Sequence, residues 1–390
     1  MKENKRINEV IKLYKANNLK KAKKEINRLL EKDENSDFLN IKGIILRANN
    51  EPKESLISYN QAISINPSKA TYYNNRGNVY RELGNYKKAL NDFNKALDLD
   101  PKYFDALINL ILLKHDKKLY KESEGLCKEA IKINNSRSEG YKLLGICYLN
   151  QEKINFAIEY FEKAQKIKFE TVVQHQLDIL NGKQKKHTPL EFIQNTFNAY
   201  AKNFDEHLLH KLKYNGPKLV KFSVESFIEK KLFNNVIDLG CGTGLCGDFL
   251  NEISLNLHGI DISFNMLKKA KDKKKYNELI KGDFIKYLKK TENKYDLFIA
   301  CDVFIYTGDI DETFRLIKKT SSKESFFVFT TELLKKGNYK LDNSGRFKHS
   351  ENYISSKCEE NSMDIINKNN INLRIENGKN TIGQIYVIKL

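Results

Sequence analysis

The sequence predicts an α-helical repeat array followed by a doubly wound α/β sheet that ends in an antiparallel hairpin. Three observations predict this architecture: a 34-residue period in the first half, a buried strand running into a glycine-rich turn at 236–244, and alternating strands and helices from there onward. Stacked repeats and strand–helix alternation are typical of these two fold classes. With 390 residues, the chain has room for two or three domains.

The formal net charge of +18 is spread along the chain, since Lys, Asn and Ile are abundant everywhere. The sequence shows no basic patch interleaved with aromatic residues, so nucleic acid is not the expected partner. No apolar run approaches the roughly 18 residues of a membrane-spanning helix. Residues 1–24 lack the apolar segment of a signal peptide. We therefore expect a cytoplasmic protein without a membrane partner.

Six cysteines are scattered along the chain: Cys127, Cys147, Cys241, Cys246, Cys301 and Cys358. They form no C-x-x-C pair, and no histidine stands at zinc-ligand spacing from any of them. Scattered thiols in a cytosolic chain are expected to be reduced. The sequence therefore predicts neither disulfides nor a metal site.

The first half repeats with a period of 34 residues in three registers. Small or aliphatic residues mark the first register: Gly43, Gly77, Ile111 and Gly145. Alanine marks the second: Ala62, Ala96, Ala130 and Ala164. Three aromatic residues and one cysteine mark the third: Tyr59, Phe93, Cys127 and Phe161. Small residues let helices approach closely and aromatic residues fill gaps between units, so the period indicates stacked helix pairs.

The repeat unit that begins at Ala70 resembles the tetratricopeptide repeat. Seven positions agree with that motif: Tyr73, Gly77, Tyr80, Ala89, Phe93, Ala96 and Pro101. Four repeats are expected at about 36–69, 70–103, 104–137 and 138–171, after a degenerate helix pair at 4–32. The resemblance implies a domain over 1–182 that forms a superhelix with a groove for a protein or peptide. A polar linker at 183–190 and a second domain over 191–390 are predicted to follow.

The second half alternates between helices and strands. Apolar periodicity predicts helices at 192–200, 217–231, 247–252, 310–319 and 350–367. A further helix is predicted to begin at Ser263, with Met266, Leu267 and Ala270 on its inner face. Strands are predicted at 235–239, 256–260, 279–281, 296–301, 326–331, 372–376 and 382–388. The last two flank the turn Asn377-Gly378-Lys379-Asn380, so they are expected to form an antiparallel hairpin.

Two ligand classes compete for the glycine turn. Residues 242–247 match G-x-G-x-x-G, the dinucleotide fingerprint, which is a weak signal by itself. Asp238 stands two residues before the first glycine, where a carboxylate accepts an ammonium group but repels a pyrophosphate. Asp261 follows the second strand and suits the ribose of either ligand. Asp283 follows the third strand and suits an adenine amino group, which together with the hairpin favours S-adenosylmethionine over NAD.

The sheet with its glycine turn and terminal hairpin resembles the class I S-adenosylmethionine-dependent methyltransferase fold. Residues 197–208, 302–306 and 345–350 are similar to those of bacterial predicted methyltransferases that carry tetratricopeptide repeats. The resemblance implies that the following residues line the cofactor site: Asp238, Gly240, Cys241, Gly242, Gly244, Asp261, Ile262, Asp283, Phe284 and Cys301. It also implies a lid at 197–204, and the Lys-rich loop at 271–275 departs from the broader fold family.

The methyl acceptor is expected beyond the carboxyl ends of the strands at 296–301 and 326–331. The following residues are candidates for the lid and the acceptor wall: Phe197, Tyr200, Phe204, His207, Tyr306 and Arg346. Three residues are candidates for chemistry: Asp302 as a base or a ligand of the cofactor amino group, Glu332 as a ligand of a cationic acceptor, and His349 as a proton acceptor. Each has a structural alternative, namely a helix-capping Asp302, a solvated Glu332, and a surface pair of His349 with Arg346 at a helix start.

The sequence therefore predicts an S-adenosylmethionine-dependent methyltransferase whose repeats dock a partner or substrate. A small-molecule acceptor is favoured over a protein because a closing lid suits a small substrate. One alternative is an inactive methyltransferase-fold scaffold, but an inactive site is not expected to keep Asp238, Asp261 and Asp283. The other, less favoured, is an NAD-dependent oxidoreductase.

Overall fold

The computed structural model describes residues 2–376 and 378–390. The chain divides into two compact units, Met1–Phe169 and Glu170–Leu390. Within the described part of the chain, no helix is both long and apolar enough to cross a membrane. Asn377, in the predicted hairpin turn, lies outside the described residues.

Helix pairs form the whole of the first unit, as the 34-residue period predicts. The described helices are α1 (Lys2–Lys15), α2 (Leu19–Leu30), α3 (Ser36–Ala48), α4 (Pro52–Ile65), α5 (Ala70–Glu82), α6 (Tyr86–Leu99), α7 (Phe104–Asp116), α8 (Tyr120–Ile133), α9 (Ser138–Asn150) and α10 (Ile154–Ile167). The predicted repeats therefore correspond to α3 with α4, α5 with α6, α7 with α8, and α9 with α10.

Close contact between a glycine and an aromatic ring joins the two helices of a repeat. A Cβ atom placed on Gly77 would lie 2.7 Å from the ring of Phe93, and one on Gly145 would lie 2.7 Å from Phe161. In the third repeat the large and the small residue exchange positions. Ile111 stands in the glycine register and Cys127 in the aromatic register. Large and small residues thus alternate so that each repeat fills the same space.

Helix α11 (Thr171–Leu180) belongs to the second compact unit, although the sequence places it with the repeats. Its buried Ile179 packs with Leu341 and Phe347 in a small apolar cluster. Asp178 forms an ion pair with Lys185, 2.9 Å away, in the segment predicted as linker. These contacts lie within the compact unit Glu170–Leu390.

The second unit alternates helices and strands around one sheet. Its other helices are α12 (Leu190–Tyr200), α13 (Phe204–Glu206), α14 (Gly216–Phe227), α15 (Gly247–Glu252), α16 (Phe264–Lys273), α17 (Phe284–Lys290), α18 (Asp311–Thr320) and α19 (Glu351–Glu360). Its strands are β1 (Phe233–Leu239), β2 (Ser254–Asp261), β3 (Glu278–Lys281), β4 (Tyr295–Ala300), β5 (Ser321–Leu333), β6 (Tyr339–Leu341), β7 (Phe347–His349), β8 (Asp364–Glu376) and β9 (Lys379–Lys389).

Five parallel strands in the order β3-β2-β1-β4-β5 form the centre of the sheet. Strand β9 pairs antiparallel with β5, and β8 pairs antiparallel with β9, so the predicted terminal hairpin is confirmed. The strand order reverses between β1 and β4, which in open α/β sheets is the point where ligands bind. The glycine turn follows β1 and therefore lies at this point.

Both faces of the sheet are covered, which explains why the central strand β4 is buried along its whole length. Along β4, Phe298 belongs to one buried cluster, and Leu297 and Ile299 belong to the cluster on the opposite face. Ser263 caps α16 by accepting a hydrogen bond from the Met266 N–H at 3.2 Å, as the sequence predicts.

Three features of the second unit differ from the sequence prediction. Helix α19 ends at Glu360 and does not reach 367, because the chain turns at Ser362 with φ of 53° and β8 begins at Asp364. Helix α17 was not predicted. The short strands β6 and β7 were not predicted either, and they extend the sheet because β7 pairs with the end of β5. Arg346 directly precedes β7 and His349 ends it, just before Ser350 caps α19, so the pair precedes a helix as the sequence predicts.

Candidate functional site

The turn after β1 leaves its backbone bare where a ligand can approach. Gly240 and Gly242 have φ of 67° and 54°, a left-handed conformation that favours glycine. A Cβ atom on Gly242 would meet nothing within 4 Å, whereas one on Gly240 would lie 2.7 Å from Val303. Gly242 is thus open towards the cavity, and Gly240 allows the loop after β4 to pack closely.

Tyr276 occupies the space beside the other glycines of this region. Cβ atoms on Gly244, Gly247 and Gly259 would lie 2.9, 2.8 and 2.8 Å from its ring. Gly244, predicted as a cofactor-lining residue, does not line the cavity, because it packs against Tyr276 and Ala270. These glycines serve packing, and Tyr276, which follows the Lys-rich loop, was missed by the sequence analysis.

Asp238 is a buried carboxyl group at the end of β1, with an exposed fraction of 1%. The Tyr276 hydroxyl donates a hydrogen bond of 2.7 Å to its Oδ2. Burial raises the pKa of Asp238 to about 7, the nearby Asp261 adds to this, and the Tyr276 hydrogen bond opposes it. No ion pair to Asp238 exists among the residues that the structure describes, so a cationic ligand would supply the missing charge.

The Asp261 carboxylate binds the backbone of the glycine turn. Its Oδ2 accepts from the Gly242 N–H at 2.9 Å, and its Oδ1 accepts from the Ser263 N–H at 2.7 Å. Burial raises its pKa, although these two hydrogen bonds oppose the shift. Each oxygen keeps a free lone pair on the cavity side, which suits hydroxyl donors. Asp283 caps α17 by accepting from the Ile285 N–H at 2.9 Å.

A cavity of about 570 Å³ joins these residues to the acceptor side. Most of the predicted site residues line it: Phe197, Tyr200, Phe204, His207, Asp238, Gly240, Cys241, Gly242, Asp261, Ile262, Asp283, Phe284, Cys301, Asp302, Tyr306 and Arg346. Three predicted residues do not line it: Gly244, Glu332 and His349. The structure therefore brings together residues from five strand ends and from the segment that precedes the sheet.

Aromatic rings from the segment that precedes the sheet form one wall of the cavity. The Phe197 ring meets Tyr306 edge-on at 5.5 Å and Phe204 at 6.1 Å between centroids. Tyr200 packs edge-on against Phe204 at 5.1 Å and bonds His207 through its hydroxyl. Burial raises the pKa of Tyr306 to about 12, so its hydroxyl is neutral at ordinary pH. This wall is formed mostly by aromatic rings, and it is therefore largely apolar.

Two polar contacts fix the same segment to the cofactor side, and the sequence analysis missed both. Asn198 Oδ1 accepts from the Ser263 hydroxyl at 2.7 Å, at the start of α16. Thr243, inside the glycine turn, donates its hydroxyl to Asp205, whose other oxygen pairs with Lys273 at 3.0 Å. The segment that contains Asn198 and Asp205 is therefore hydrogen-bonded to the start of α16 and to the glycine turn.

Arg374 on β8 organises the charged end of the cavity. It donates to Asp302 Oδ2 at 2.7 Å, to Glu332, and to Glu376 at 3.2 Å. Arg346 Nε lies 2.9 Å from Glu332 without hydrogen-bond geometry, and a second nitrogen of Arg346 bonds Glu376. Three carboxylates thus share two guanidinium groups. Sequence patterns give no signal for Arg374, because it stands in a strand far from the glycine turn.

Asp302 has one carboxylate oxygen free. Its Oδ1 is buried and has no hydrogen-bond partner in the described residues. Its backbone has φ of 61°, which is strained for a non-glycine residue, and its N–H donates to Thr330 Oγ1 at 2.9 Å. Burial raises its pKa, and Arg374 and Arg346 oppose that shift. A strained backbone conformation and a buried oxygen without a hydrogen-bond partner are both features of functional sites.

Glu332 and His349 are placed differently from the prediction. Glu332 is 2% exposed and committed to Arg374, so it is not free to bind a cationic acceptor. His349 is fully buried behind the Gly308 loop, and its Nε2 lies 3.1 Å from the Gly308 carbonyl oxygen. Burial lowers the pKa of His349 to about 4, so it stays neutral. The sequence predicts that His349 takes a proton from the methyl acceptor, and this geometry does not support that role.

Comparison with known proteins identifies both units. A family model described as a methyltransferase domain matches residues 233–380, which span β1 to β9. Models of the tetratricopeptide repeat match residues 43–80, 70–103 and 139–171. The chain carries tetratricopeptide repeats and a class I methyltransferase domain. The match over 70–103 has the same bounds as the second repeat predicted from sequence.

Individual relatives match only parts of the chain. An 18S rRNA (guanine-N(7))-methyltransferase from Bos taurus is 48% identical over 48 residues, which are 12% of this chain. The chain covers 17% of the length of this curated relative. A solved S-adenosylmethionine-dependent methyltransferase from Clostridium acetobutylicum is 19% identical over 50% of this chain and 99% of its own, with a TM-score of 0.38. A solved tetratricopeptide-repeat protein from Thermus thermophilus is 15% identical over 46% of this chain and 98% of its own, with a TM-score of 0.40.

The methyltransferase domain implies S-adenosylmethionine as the cofactor, and the donor set of this site fits it. The cofactor has a positive charge, ribose hydroxyls and an adenine amino group. The buried Asp238 and the partly exposed Asp261 line the cavity beside the bare backbone of Gly242, and neither has an ion pair within the described part of the chain. A pyrophosphate at the glycine turn would meet Asp238, so the site is electrostatically unsuited to that part of NAD.

Proposed function

We propose that the chain is an S-adenosylmethionine-dependent methyltransferase that acts on a small molecule enclosed beneath its aromatic lid. The single observation that carries the proposal is that the buried Asp238 and the partly exposed Asp261 line one cavity, with no ion pair to either among the residues that the structure describes. A cavity of about 570 Å³ that continues from them to Asp302 suits a small acceptor.

The residues of the chain bind, orient and exclude water, and the bound cofactor supplies an activated methyl group. Asp238 is placed to accept the ammonium group, and Asp261 to accept the ribose hydroxyls. Phe197, Tyr200 and Tyr306 exclude water from the acceptor side. The new bond forms between the acceptor atom and the methyl carbon as the carbon–sulfur bond breaks.

Asp302 is proposed to orient the acceptor and, where the acceptor must lose a proton, to take it. Its free Oδ1 accepts a hydrogen bond from an O–H or N–H group of the acceptor. Arg374, bonded to Oδ2 at 2.7 Å, keeps the carboxylate in place. The acceptor class supported by this oxygen is therefore a molecule with an apolar body and a hydroxyl or amine group.

Isothermal titration with S-adenosylmethionine tests the cofactor site. We expect binding that Asp261→Asn weakens by about 10- to 100-fold, the effect of losing charge-assisted hydrogen bonds. Asp272→Asn, an exposed acid on α16, is the matched control and is expected to bind as the wild type does. A wild type that binds NAD but not S-adenosylhomocysteine would refute the methyltransferase proposal.

Transfer of a labelled methyl group from the cofactor tests the acceptor. The protein is incubated with cell lysate, which is then separated into small molecules, protein and nucleic acid. We expect the label in the small-molecule fraction, and we expect Asp302→Asn to reduce transfer while cofactor binding is kept. Label in protein or nucleic acid would overturn the proposed acceptor class but not the methyltransferase activity.

We also propose that the repeats dock a protein or peptide partner, because stacked repeats form an extended groove. The repeat matches at 43–80, 70–103 and 139–171 support this role. Cross-linking of the intact protein followed by mass spectrometry should map partner contacts to residues 36–171. Cross-links confined to the methyltransferase domain would contradict it.

A further inference from the structure

Three side chains of the repeat unit meet at one point although they are far apart in sequence. His115 comes from the last turn of α7, Cys127 from α8 and Cys147 from α9. One ligand atom from each lies within 4.8 Å of the other two. No metal site was predicted from the sequence, because zinc ligands are recognised there by short spacings. This group instead joins three helices.

All three residues depart from the repeat pattern. At steps of 34 residues, His115 takes the position of Arg81, and Cys147 takes that of Val79. Cys127 stands in the register of Tyr59 and Phe93. The size exchange with Ile111 requires a small residue at 127, but packing alone does not require sulfur there. Neither does packing require an imidazole beside both sulfurs.

The distances agree with those around a single thiophilic cation. The two sulfurs are 3.9 Å apart, and His115 Nε2 is 3.2 Å from Cys147 Sγ. Zinc–sulfur bonds of about 2.3 Å in a tetrahedral centre separate two sulfurs by about 3.8 Å, and an imidazole nitrogen lies about 3.6 Å from each sulfur. His115 Nε2 is therefore about 0.4 Å closer to Cys147 Sγ than in such a centre, and the ligand atoms of the three residues lie within 4.8 Å of one another.

Charge and access are also consistent with a bound cation. Cys127 and Cys147 are fully buried, and His115 is partly exposed, so its side of the cluster provides an entry route. Two thiolates neutralise a divalent cation, which avoids a buried net charge. Ser123 Oγ lies 3.2 Å from Cys147 Sγ but donates to the Tyr120 carbonyl oxygen at 3.1 Å, so a water molecule would complete the coordination.

We propose that His115, Cys127 and Cys147 bind one Zn²⁺ ion, which links helices α7, α8 and α9 across the third and fourth repeats. On binding, each sulfur still protonated loses its proton to solvent as the zinc–sulfur bond forms, and no electron is transferred. Such an ion would be structural, since it ties one repeat to the next, and it is independent of the methyl-transfer site.

Titration of the intact, reduced and chelator-treated protein with Zn²⁺ tests the proposal. We expect one ion per chain, and we expect Cys127→Ser and Cys147→Ser to weaken binding by about two orders of magnitude or more. Cys358→Ser removes a buried thiol of the other unit and is the matched control, expected to bind as the wild type does. Equal loss of binding in the control would overturn the assignment.

Co²⁺ provides a second measurement that needs no variant. Replacement of zinc by Co²⁺ in the wild-type protein should give a thiolate charge-transfer absorption and the visible bands of a tetrahedral site. Absence of these bands together with absence of zinc binding would refute the site.

Discussion

At the scale of single residues, Asp238 determines how the methyltransferase domain responds to pH. Its pKa is raised to about 7 by burial, far above that of the same group in the unfolded chain. The folded state therefore holds a proton that the unfolded state releases, and this contribution to stability is lost as pH rises through about 7. A bound cation reverses the shift because it favours the ionised carboxylate.

We predict that Asp238→Asn makes the ligand-free protein more stable than the wild type at about pH 8, with the difference shrinking towards about pH 5. The replacement keeps an acceptor for the Tyr276 hydroxyl but removes the buried charge. Chemical unfolding at several pH values measures it. The same variant should bind S-adenosylmethionine more weakly at every pH. A stability difference that is independent of pH would contradict the assignment of the titration to Asp238.

Arg374 is the second residue whose removal has a specific expected cost. Arg374→Met removes the guanidinium group that bonds Asp302, Glu332 and Glu376, and leaves Arg346 beside Glu332 and Glu376. Breaking a buried ion-pair network from one side costs about 3–5 kcal/mol of the free energy of unfolding. Urea unfolding measures it.

The matched control for this substitution is Arg315→Met. Arg315 is largely exposed and pairs with Asp311 one turn away on α18, so its loss is expected to cost less than about 1 kcal/mol. Equal costs for the two variants would show that the cluster around Arg374 contributes no more than a surface pair.

At the scale of helices and strands, the glycines of the repeats have two roles. Gly77 sits against Phe93, so Gly77→Ala forces a methyl group to within 2.7 Å of the ring. Gly125 lies on the exposed surface of α8, and a Cβ there meets nothing within 4 Å. The two positions therefore separate packing from backbone entropy.

We predict opposite effects on stability from the same substitution. Gly77→Ala should destabilise the repeat unit by about 1–3 kcal/mol through overpacking. Gly125→Ala should stabilise it by about 0.5–1 kcal/mol, because alanine is the better helix former. Thermal unfolding followed by circular dichroism measures both. A stabilising Gly77→Ala would refute the close packing of α5 on α6.

The helices and strands themselves were predicted with few exceptions, and the exceptions have local causes. Strand β4 is buried along its whole length and β1 along 236–239, because both faces of the sheet are covered there, so apolar runs identify them. Helix α19 was predicted too long because its apolar residues continue into β8 without a proline or glycine between them. Strands β6 and β7 have three residues each and carry no pattern that a sequence reveals.

At the scale of the whole molecule, the two compact units are each expected to have their own ligand. S-adenosylmethionine is proposed for the unit Glu170–Leu390 and zinc for Met1–Phe169. A ligand that binds only one folded unit raises the stability of that unit by mass action. The two proposals can therefore be separated in one experiment on the intact chain.

We predict two unfolding transitions in differential scanning calorimetry, with each ligand raising only one of them. At a hundredfold excess over Kd, the stabilisation is about 2.7 kcal/mol, or about 5–10 °C in Tm for a domain of this size. Limited proteolysis with mass spectrometry assigns each transition to its unit. A single transition raised by both ligands would contradict independent sites.

The sequence by itself determined the repeats, the order of strands and helices, and the acids Asp238, Asp261 and Asp283, because local periodicity and strand ends are properties of contiguous residues. Only the tertiary structure decided that Gly244 packs on Tyr276, that Arg374 organises the acceptor end, and that Glu332 and His349 face away from the cavity. The same holds for His115, Cys127 and Cys147. These contacts join side chains from separate segments, and their distances are set by helix packing and strand register, which no local pattern encodes.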